Sequence, residues 1–401
     1  MIKFPIYMDN HATTPVDPRV LDAMLPYFKE GFGNASSRNH VFGQKAEQAV
    51  EIARSEIAKA IHAAGSEEII FTSGATEANN LAIQGIAKIY RDKGNHIVTS
   101  AIEHKSVLDT CQCLEEEGFR VTYLPVNREG LISLDDLKVA ITAKTILISI
   151  MHANNEIGVL QPVAEIGKIA KERKIFFHCD AVQSIGKVPL DVQTIQVDLL
   201  SLSAHKIYGP KGIGALYVRK RNPRVRISPI LHGGGQEQGL RSGTLNVPAI
   251  VGFGKAIAIA AEEMPAESKR LLFFREKLRT QIMGHLTEVY INGSLERRLP
   301  GNLNLSFAYV EGESLLIGLS EGIAVSSGSA CTQFSLEPSY VLKALGIEAG
   351  LEHASVRFGL GRFNTEEEVD YAAQSVVKVV NRLRSLSPLY QNLQKKVCSV
   401  V

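Results

Sequence analysis

The residue with the clearest chemical potential is Lys206, which follows a short, mostly apolar run at residues 197–202. Such a run is typical of a buried strand. An ammonium buried at the end of a strand is costly, and a lowered pKa or a covalent bond to an aldehyde relieves that cost. The ordinary alternative is a lysine whose ammonium reaches solvent along its apolar stem. Lys206 alone does not distinguish the two, so the residues that accompany it decide.

Two further stretches supply the groups that such a lysine would work with. Asp180 comes at the end of another apolar run, and Gln183 follows it one turn later. An acid at the carboxyl end of a strand points into the crevice where open α/β sheets bind ligands. Residues 68–79 predict a strand, a small-residue turn and a helix start, so backbone N–H groups and the Thr76 hydroxyl can hold a phosphate. A strand-end lysine, a strand-end acid and a phosphate cradle are the three contacts that pyridoxal phosphate requires.

Nine short motifs extend this pattern over nearly the whole chain. They are YMDNHATTP (7–15), SGATEANN (73–80), EHKS (103–106), HANNEIG (152–158), DAVQ (180–183), SAHK (203–206), RSGT (241–244), SSGSAC (326–331) and SVRFGLGR (355–362). On these residues the chain resembles the cysteine desulfurases, which are class V, fold-type I pyridoxal-phosphate enzymes. A single motif of this kind is a weak signal, whereas nine in the family's order are specific.

The resemblance assigns roles to individual residues. It implies that Lys206, His104 and Cys331 are catalytic, and that Asn155 and Arg357 bind the substrate L-cysteine. The residues that it implies for binding pyridoxal 5'-phosphate are Ala75, Thr76, His104, Asn155, Asp180, Gln183, Ser203, His205, Lys206 and Thr244. Thr244 is expected to complete the phosphate site of the neighbouring subunit, which implies an obligate homodimer.

Two of these residues also have ordinary explanations. His104 can carry protons near neutral pH, but without the resemblance it is more simply a surface histidine that follows a strand. The planar fork of Arg357 suits a bidentate carboxylate contact. The alternatives are a surface ion pair for Arg357, or the nearby Arg362 as the residue that binds the carboxylate.

Cys331 lies in a run rich in Gly and Ser with few side chains that can pack. Such a loop is expected to be mobile and exposed, and a thiolate is the form that attacks sulfur. The SSGSAC form resembles the iron–sulfur-cluster and nitrogenase-maturation type of desulfurase, NifS and IscS, more than the selenocysteine-lyase branch with its shorter cysteine loop. The resemblance implies a persulfide on Cys331, whose sulfur passes to an iron–sulfur scaffold protein or to tRNA-thiolation acceptors. No dedicated metal site is expected, with Cys331 at most a transient iron–sulfur ligand.

The other four cysteines have no predicted function. An odd total of five argues against a disulfide framework, and the spacing of Cys111 and Cys113 is not that of a zinc site. We expect both to be small packing residues on a helix, and Cys179 to be an inert core residue inside a strand. Cys398 lies in the C-terminal tail.

The composition is that of an ordinary globular protein. The 401 residues are 45% apolar and 21% charged, with a formal net charge of +2. This balance gives no electrostatic reason for direct nucleic-acid or membrane binding, and the longest apolar runs are too short to span a bilayer. The first motif begins at residue 7, which leaves no room for a signal or transit peptide. We therefore expect a cytoplasmic protein.

Strand and helix patterns alternate from residue 43 onward, which predicts an α/β fold with a mostly parallel sheet between helices. The predicted strands of the large sheet are 69–71, 96–99, 120–124, 145–151, 174–179, 199–202 and 215–218. The pattern predicts a large domain at 15–260, with a smaller α+β domain formed by 1–14 and 261–401 that carries the mobile cysteine loop at about 325–335. Other predicted elements are helices at 43–62, 248–286 with an interruption near Pro265, 336–346 and 366–386, and strands at 289–291, 304–307 and 356–359.

Three alternative functions stay open, and one alternative fold is disfavoured. The glycines at 209, 212 and 214 precede a strand, whereas a Rossmann dinucleotide fingerprint opens a helix. A class V aminotransferase has no use for Cys331, and a selenocysteine lyase differs in its chalcogen. A sulfur-relay scaffold without catalysis would not need Lys206, Asp180 and Arg357 together.

Overall fold

The structure is a computed structural model that describes residues 2–327, 339–348 and 350–398, with the backbone alone for 394–398. Cys331 and most of the predicted cysteine loop therefore lie outside the described residues, as does the first part of the helix predicted at 336–346. The side chain of Cys398 is likewise outside them. No helix in the described ranges is both long and apolar enough to cross a bilayer.

The helices and strands follow one another as the pattern predicts. The helices are α1 Pro18–Met24, α2 Pro26–Lys29, α3 Val41–Ala60, α4 Ala75–Tyr90, α5 Lys105–Glu116, α6 Leu134–Ala140, α7 Val163–Arg173, α8 Val192–Ile195, α9 Val247–His285, α10 Gly312–Ser320, α11 Tyr340–Ala344, α12 Glu366–Leu386 and α13 Pro388–Cys398. The strands are β1 Ile6–Tyr7, β2 Ile69–Thr72, β3 His96–Ser100, β4 Arg120–Leu124, β5 Thr145–Ser149, β6 Phe176–Asp180, β7 Leu199–Ser203, β8 Gly214–Val218, β9 Val289–Ile291, β10 Asn302–Phe307, β11 Ile323–Ala324 and β12 Ser355–Gly359.

Seven strands form the large sheet in the order β2-β8-β7-β6-β5-β3-β4. The pairs from β7 to β4 are parallel, and β8 is antiparallel to both of its neighbours. The predicted α/β class with a mostly parallel sheet is confirmed. The strand order reverses at β3, which has β4 on one side and β5 on the other. Ligands of open α/β sheets bind at such a reversal, outside the carboxyl ends of the strands.

Helices cover both faces of this sheet because most of its strands are apolar on both sides. One face is covered by α3, α7 and the first half of α9, and the other by α4 and α5. Cys111 packs in the second of these cores, as predicted, whereas Cys113 is exposed. The two cysteines are two residues apart on α5, so they point to different sides of the helix.

A three-stranded antiparallel sheet, β12-β10-β9, has a hydrophobic core of its own with α10, α12 and the second half of α9. The predicted domain boundaries stay a prediction, since α9 runs through residue 260 without a break. The predicted interruption near Pro265 is wrong: the helix is continuous from Val247 to His285. Proline removes one helical hydrogen bond, and packing of α9 against both cores outweighs that loss.

The ends of several strands differ from the prediction by one or two residues. The strand predicted to begin at Lys174 begins at Phe176, because Lys174 adopts the left-handed conformation that ends α7 (φ 57°). It continues to Asp180, so this acid is the last residue of the strand itself. The strand predicted to end at residue 151 ends at Ser149. The polar residues of the 152–158 motif therefore lie beyond the end of this strand.

The N-terminal arm, residues 2–17, connects the two sheets. Its strand β1 pairs in parallel with β11, matching Ile6 with Ile323, and Asp9 forms a bridge with Gly359 at the end of β12. The arm then crosses the carboxyl end of the large sheet, where Thr14 donates to the His205 carbonyl. The arm therefore closes the crevice at the reversal point of the sheet.

Candidate active site

A cavity of about 560 Å³ lies at the carboxyl ends of the parallel strands, under the N-terminal arm. Its lining contains every predicted site residue except Thr244 and Cys331: Ala75, Thr76, His104, Asn155, Asp180, Gln183, Ser203, His205, Lys206 and Arg357. These residues are separated by up to 282 positions in the chain, and the parallel sheet with its arm brings them together.

Lys206 is placed by a single 3-10 turn, Ala204–Lys206, directly after β7. Its Nζ donates to the backbone carbonyls of His11 and Ala12, at 2.6 Å each. The ammonium therefore lies inside the cavity against the arm, and the alternative of a lysine that reaches outer solvent is wrong. Two neutral carbonyls satisfy the charge by hydrogen bonds without neutralising it.

Asp180 is oriented by two donors at the end of β6. The Asn79 side-chain amide donates to its Oδ2 at 2.8 Å, and the backbone N–H of Val182 donates to Oδ1 at 3.0 Å. The same amide donates to the Ser106 hydroxyl at 2.8 Å. Asn79 thus links α4, α5 and β6. It lies inside the SGATEANN motif, but its sequence position alone did not indicate a role at the site.

The tautomer of His104 follows from these contacts. Its Nδ1 accepts from the Ser106 backbone N–H at 3.1 Å and lies 2.8 Å from the Ser106 hydroxyl, whose oxygen already accepts from Asn79. Burial lowers the pKa of His104 below 6.5, with Asp180 partly opposing that shift. A neutral imidazole with Nδ1 as acceptor carries its proton on Nε2. His104 is therefore a neutral ring that carries its proton on Nε2.

The opposite end of the cavity is suited to a phosphate. Ala75 and Thr76 open α4, a helix of 16 residues that presents its first N–H groups there. Gly74 precedes them at φ 158°, and a side chain at that position would meet nothing within 4 Å. Burial, with the ammonium groups of Lys206 and Lys211, lowers the pKa of His205 to about 4. These cationic groups favour a dianion.

Arg357 and Asn155 form a third corner. Arg357 is only 2% exposed on β12; its Nη1 donates to the Asn155 carbonyl at 2.9 Å, and its Nη2 to Asp9 Oδ1 at 2.7 Å. Arg357 Nε and Asn155 Oδ1 are buried and have no partner among the described residues. Buried polar groups in native proteins are nearly always paired, so these atoms indicate a ligand. Arg362, the predicted competitor, is outside the lining and pairs instead with acids of its own.

Gln183 connects His11 on the N-terminal arm to a second lysine, Lys187. Its Nε2 donates to the His11 carbonyl at 2.9 Å, while its Oε1 lies 3.1 Å from His11 Nδ1 and 3.4 Å from Lys187 Nζ. This leaves one N–H of the Gln183 amide for a ligand. Burial lowers the pKa of Lys187 to about 7 and holds that of His11 well below 6.5. Sequence reasoning missed both residues, although His11 is in the first motif.

The residues present fit pyridoxal phosphate. Asp180 is a fixed carboxylate, His104 a flat neutral ring and Gln183 an amide with one N–H left, and the start of α4 with the Lys211 ammonium forms an electropositive pocket. The unpartnered Nε of Arg357 lies at the corner where an amino acid carboxylate needs a donor, and the unpartnered Oδ1 of Asn155 leaves an acceptor there for a donor group of the ligand. In the described ranges no group of His, Cys, Asp and Glu side chains could hold a metal ion.

Of the predicted site residues that the structure describes, Thr244 is the one that its own chain leaves outside the cavity. It is exposed at the end of the glycine-rich segment 233–244. Two contacts hold that segment in place. Arg241 Nε donates to Glu77 at 2.8 Å, and the buried Arg54 forms an ion pair with Glu237 at 2.7 Å. The segment is therefore ordered by its own chain but presents Thr244 outward.

A profile of the family described as aminotransferase class V matches residues 6–372. This chain belongs to the class V aminotransferase family. It is 58% identical over 396 residues to the cysteine desulfurase IscS of Anaeromyxobacter dehalogenans, covering 99% of this chain and 97% of that protein. It is also 58% identical to the cysteine desulfurase IscS of Rickettsia bellii, over 98% of this chain and 95% of that protein. The predicted resemblance to cysteine desulfurases is confirmed.

Solved structures of similar proteins share the fold of this chain. A NifS-like protein superposes with a TM-score of 0.87 and 40% identity, covering 95% of this chain and 100% of the other. SspA in complex with cysteine superposes with a TM-score of 0.80 and 41% identity, covering 90% and 100%. The fold-type I architecture is thereby confirmed. The family is pyridoxal-phosphate-dependent, which agrees with the chemistry of the cavity.

A layer of polar residues lies inside the sheet beneath the site. His178 of β6 is fully buried, with Nδ1 2.8 Å from the Ser149 hydroxyl of β5 and Nε2 3.0 Å from the Ser201 hydroxyl of β7. Burial lowers the pKa of His178 from 6.5 to about 4, with Asp180 partly opposing. The three strands that carry the site are therefore cross-linked by a neutral imidazole.

This layer predicts acid sensitivity. Between pH 6.5 and about 4 the unfolded chain takes up a proton that folded His178 refuses, so unfolding becomes easier as the pH falls. The loss is about 3 kcal/mol over this window, at about 1.4 kcal/mol per pH unit. Urea unfolding of wild type and His178→Asn at several pH values checks this. The variant is expected to be less stable at pH 7, but its free energy of unfolding should depend less steeply on pH, by the equivalent of about one proton taken up on unfolding. Equal pH dependences of the two proteins would contradict the prediction.

Proposed function

We propose that this chain is a pyridoxal-phosphate-dependent cysteine desulfurase, which converts L-cysteine to L-alanine and carries the sulfur as a persulfide on Cys331. The observation that supports it most is the single cavity where Lys206, Asp180 and Arg357 meet. Relatives named cysteine desulfurase IscS match the chain over nearly its whole length. That combination separates this proposal from a sulfur-relay scaffold, which needs no such cavity.

The residues that would hold the cofactor divide by chemistry. Lys206 would bind its aldehyde, Asp180 its ring nitrogen, and His104 with Gln183 the ring and its phenolic oxygen. Ala75, Thr76, Ser203 and His205 would hold the phosphate, and Thr244 would reach it from a second subunit. When bound, pyridoxal phosphate supplies an electron sink for negative charge at the substrate α-carbon.

The substrate contacts follow from the corner opposite the phosphate end. Arg357 Nε is the buried, unpartnered donor left for an amino acid carboxylate, and the Asn155 side chain would bind it through Nδ2. Lys206, once released from the aldehyde, moves the proton at the substrate α-carbon, since its ammonium lies in the same cavity. Neutral His104 offers Nε2–H as a second proton carrier near the reacting atoms.

The sulfur step needs a thiolate that can reach the cavity. The Cys331 thiolate attacks the sulfur of bound cysteine; an S–S bond forms and the carbon–sulfur bond breaks. The electron pair stays with the substrate carbon, which takes a proton to become the methyl group of L-alanine. The buried thiols are poorly suited, because burial raises the pKa of Cys111 to about 12 and that of Cys179 well above 9.0. Cys113 is exposed on α5 but is not part of the cavity lining.

The working form is proposed to be a homodimer. Thr244 is exposed in its own chain, and the region from α1 to the start of α3 exposes several large apolar side chains, which is the mark of a protein contact surface. They are Leu21, Leu25, Phe28, Phe32, Val41 and Phe42. The sulfur acceptors are proposed to be an iron–sulfur scaffold protein and tRNA-thiolation proteins in the cytoplasm, without direct contact to nucleic acid or membrane.

Cys331→Ala tests the sulfur step. Sulfide release from cysteine should fall at least about a hundredfold, because the nucleophile of the bond-breaking step is gone, while binding of L-cysteine survives. Wild type incubated with cysteine should gain the mass of one sulfur on the Cys331 peptide. Cys113→Ala, the same change at an exposed thiol of α5, is the matched control and should behave as wild type. Amine transfer without sulfur release would instead support an aminotransferase.

Lys206→Ala tests the cofactor site. Borohydride reduction of the wild type with pyridoxal phosphate should attach the cofactor to the Lys206 peptide, and the variant should not be labelled. Lys211→Ala, which removes another ammonium of the same lining, should still be labelled at Lys206. Labelling of Lys187 or Lys211 in the wild type would show that the lysine is wrongly assigned.

Mixed dimers test the role of Thr244. Thr244→Ala homodimers should bind pyridoxal phosphate about tenfold more weakly, from the loss of one hydrogen bond to a charged group. In a mixed dimer with Lys206→Ala, the subunit that retains Lys206 receives an intact Thr244 from its partner and should bind with wild-type affinity. Weak binding at both sites of the mixed dimer, or a fully loaded monomer in sedimentation, contradicts the shared site.

A further inference from the structure

Asp9 is a polar residue of the first motif to which the reaction described above gives no role. It lies on the arm just after β1, and its two oxygens have different partners. Oδ1 accepts from Arg357 Nη2 at 2.7 Å, and Oδ2 accepts from the Ser326 hydroxyl at 2.7 Å. One carboxylate therefore contacts both the substrate arginine and a residue that lies five positions before Cys331.

The backbone closes these three residues into a ring. The Arg357 N–H donates to the Ser326 carbonyl at 2.8 Å, and Asp9 pairs with Gly359 two residues farther along β12. Each member is thus held by its chain as well as by its side chain. A change in the Asp9–Arg357 contact is therefore expected to change the hydrogen bonds that position Ser326.

The charge of Arg357 also requires a counter-ion within this ring. Arg357 is 2% exposed, and a buried guanidinium needs a counter-ion. Glu156, another carboxyl group near Arg357, accepts a hydrogen bond from Ser339 instead, and burial raises its pKa to about 7. Other ionisable groups on this side of the cavity are Tyr7, Lys187, Lys206 and the neutral His11. Among the described residues, Asp9 is the acid in ion-pair contact with Arg357.

A substrate carboxylate must share this arginine. Arg357 Nη1 donates one N–H to the Asn155 carbonyl and Nη2 donates one to Asp9, so the incoming carboxylate finds Nε–H and the remaining Nη hydrogens, close to the Asp9 carboxylate. Two carboxylates on one guanidinium repel each other. Binding of the substrate therefore weakens the Asp9–Arg357 contact, and the freed charge of Asp9 is left with Ser326.

We propose that Asp9 is a positioning residue that serves as the internal counter-ion of Arg357, competes with the substrate carboxylate for it, and passes this exchange to Ser326 on the approach to Cys331. The inference rests on the proposed desulfurase function, in which Arg357 binds L-cysteine. It predicts two effects of opposite sign, because Asp9 opposes binding of the amino acid while it supports transfer of the sulfur.

Asp9→Asn in the holoenzyme separates the two effects. The amide keeps a hydrogen-bond acceptor for Ser326 but loses the charge that competes for Arg357. The Kd of L-alanine, measured by calorimetry without turnover, should fall about fivefold or more, as for a coupling of ordinary size. The Kd of cysteamine, which is cysteine without its carboxylate, should stay within about twofold. Formation of the Cys331 persulfide in a single turnover should slow about fivefold or more, because a neutral acceptor holds Ser326 less firmly.

Two further variants serve as controls. Asp17→Asn removes another buried arm carboxylate that pairs with arginine outside the cavity, through Arg19 and Arg362, and should leave the Kd of L-alanine unchanged. Ser326→Ala keeps the Asp9–Arg357 pair, so L-alanine binding should stay within about twofold while persulfide formation slows. This second variant tests the coupling even if Asp9→Asn fails to fold.

The outcomes are distinct. Weaker or unchanged L-alanine binding in Asp9→Asn overturns the competition, and an unchanged persulfide rate in Ser326→Ala overturns the coupling. An equal gain in affinity for cysteamine shows that Asp9 does not act on the carboxylate, which also overturns the proposal. A wild type that binds no L-alanine and forms no persulfide refutes the proposed function itself, which is a different result from any of these.

Discussion

Parallel pairing of the central strands is the constraint on which the site depends. Because β3, β5, β6 and β7 run in one direction, the residues that follow them meet at one edge of the sheet. A parallel sheet is buried on both faces, so its strands are apolar and polar chemistry is confined to their ends. Even the polar residue inside β6, His178, is kept neutral and is hydrogen-bonded to serines of both neighbouring strands. The rigidity of the site follows from that of the sheet.

The cavity is electrostatically one-sided. Lys206, Lys211 and Arg357 line it, and burial lowers the pKa of its histidines, so that they add hydrogen bonds but no further positive charge. Such a field suits a ligand with a phosphate at one end and a carboxylate at the other. Asp180 in the lining and Asp9 in contact with Arg357 are each fixed by donors, and each opposes the field at one point. The acid that contacts Arg357 and the acid that faces the proposed cofactor ring therefore act at different corners of the same cavity.

The N-terminal arm turns a crevice into a closed site. Its carbonyls hold the Lys206 ammonium, its His11 and Asp9 contact Gln183 and Arg357, and its strand pairs with β11. Residues from the start, middle and end of the chain are thus joined through one extended segment. Because an extended strand offers its carbonyl groups and alternate side chains on both sides, one arm can contact the lysine and the arginine at once.

Local patterns in the sequence determined most of the elements, the strand-end positions of Lys206 and Asp180, and the family, because apolar periodicity and short motifs are properties of neighbouring residues. Tertiary packing decided what depends on distant partners. It kept α9 continuous through Pro265, left Arg357 rather than Arg362 in the cavity, and directed Thr244 outward. The contact of Asp9 with Ser326 and Arg357 joins residues more than 300 positions apart, and no local pattern encodes it. Only the pairing of the arm with β11 and β12 brings them within hydrogen-bonding distance.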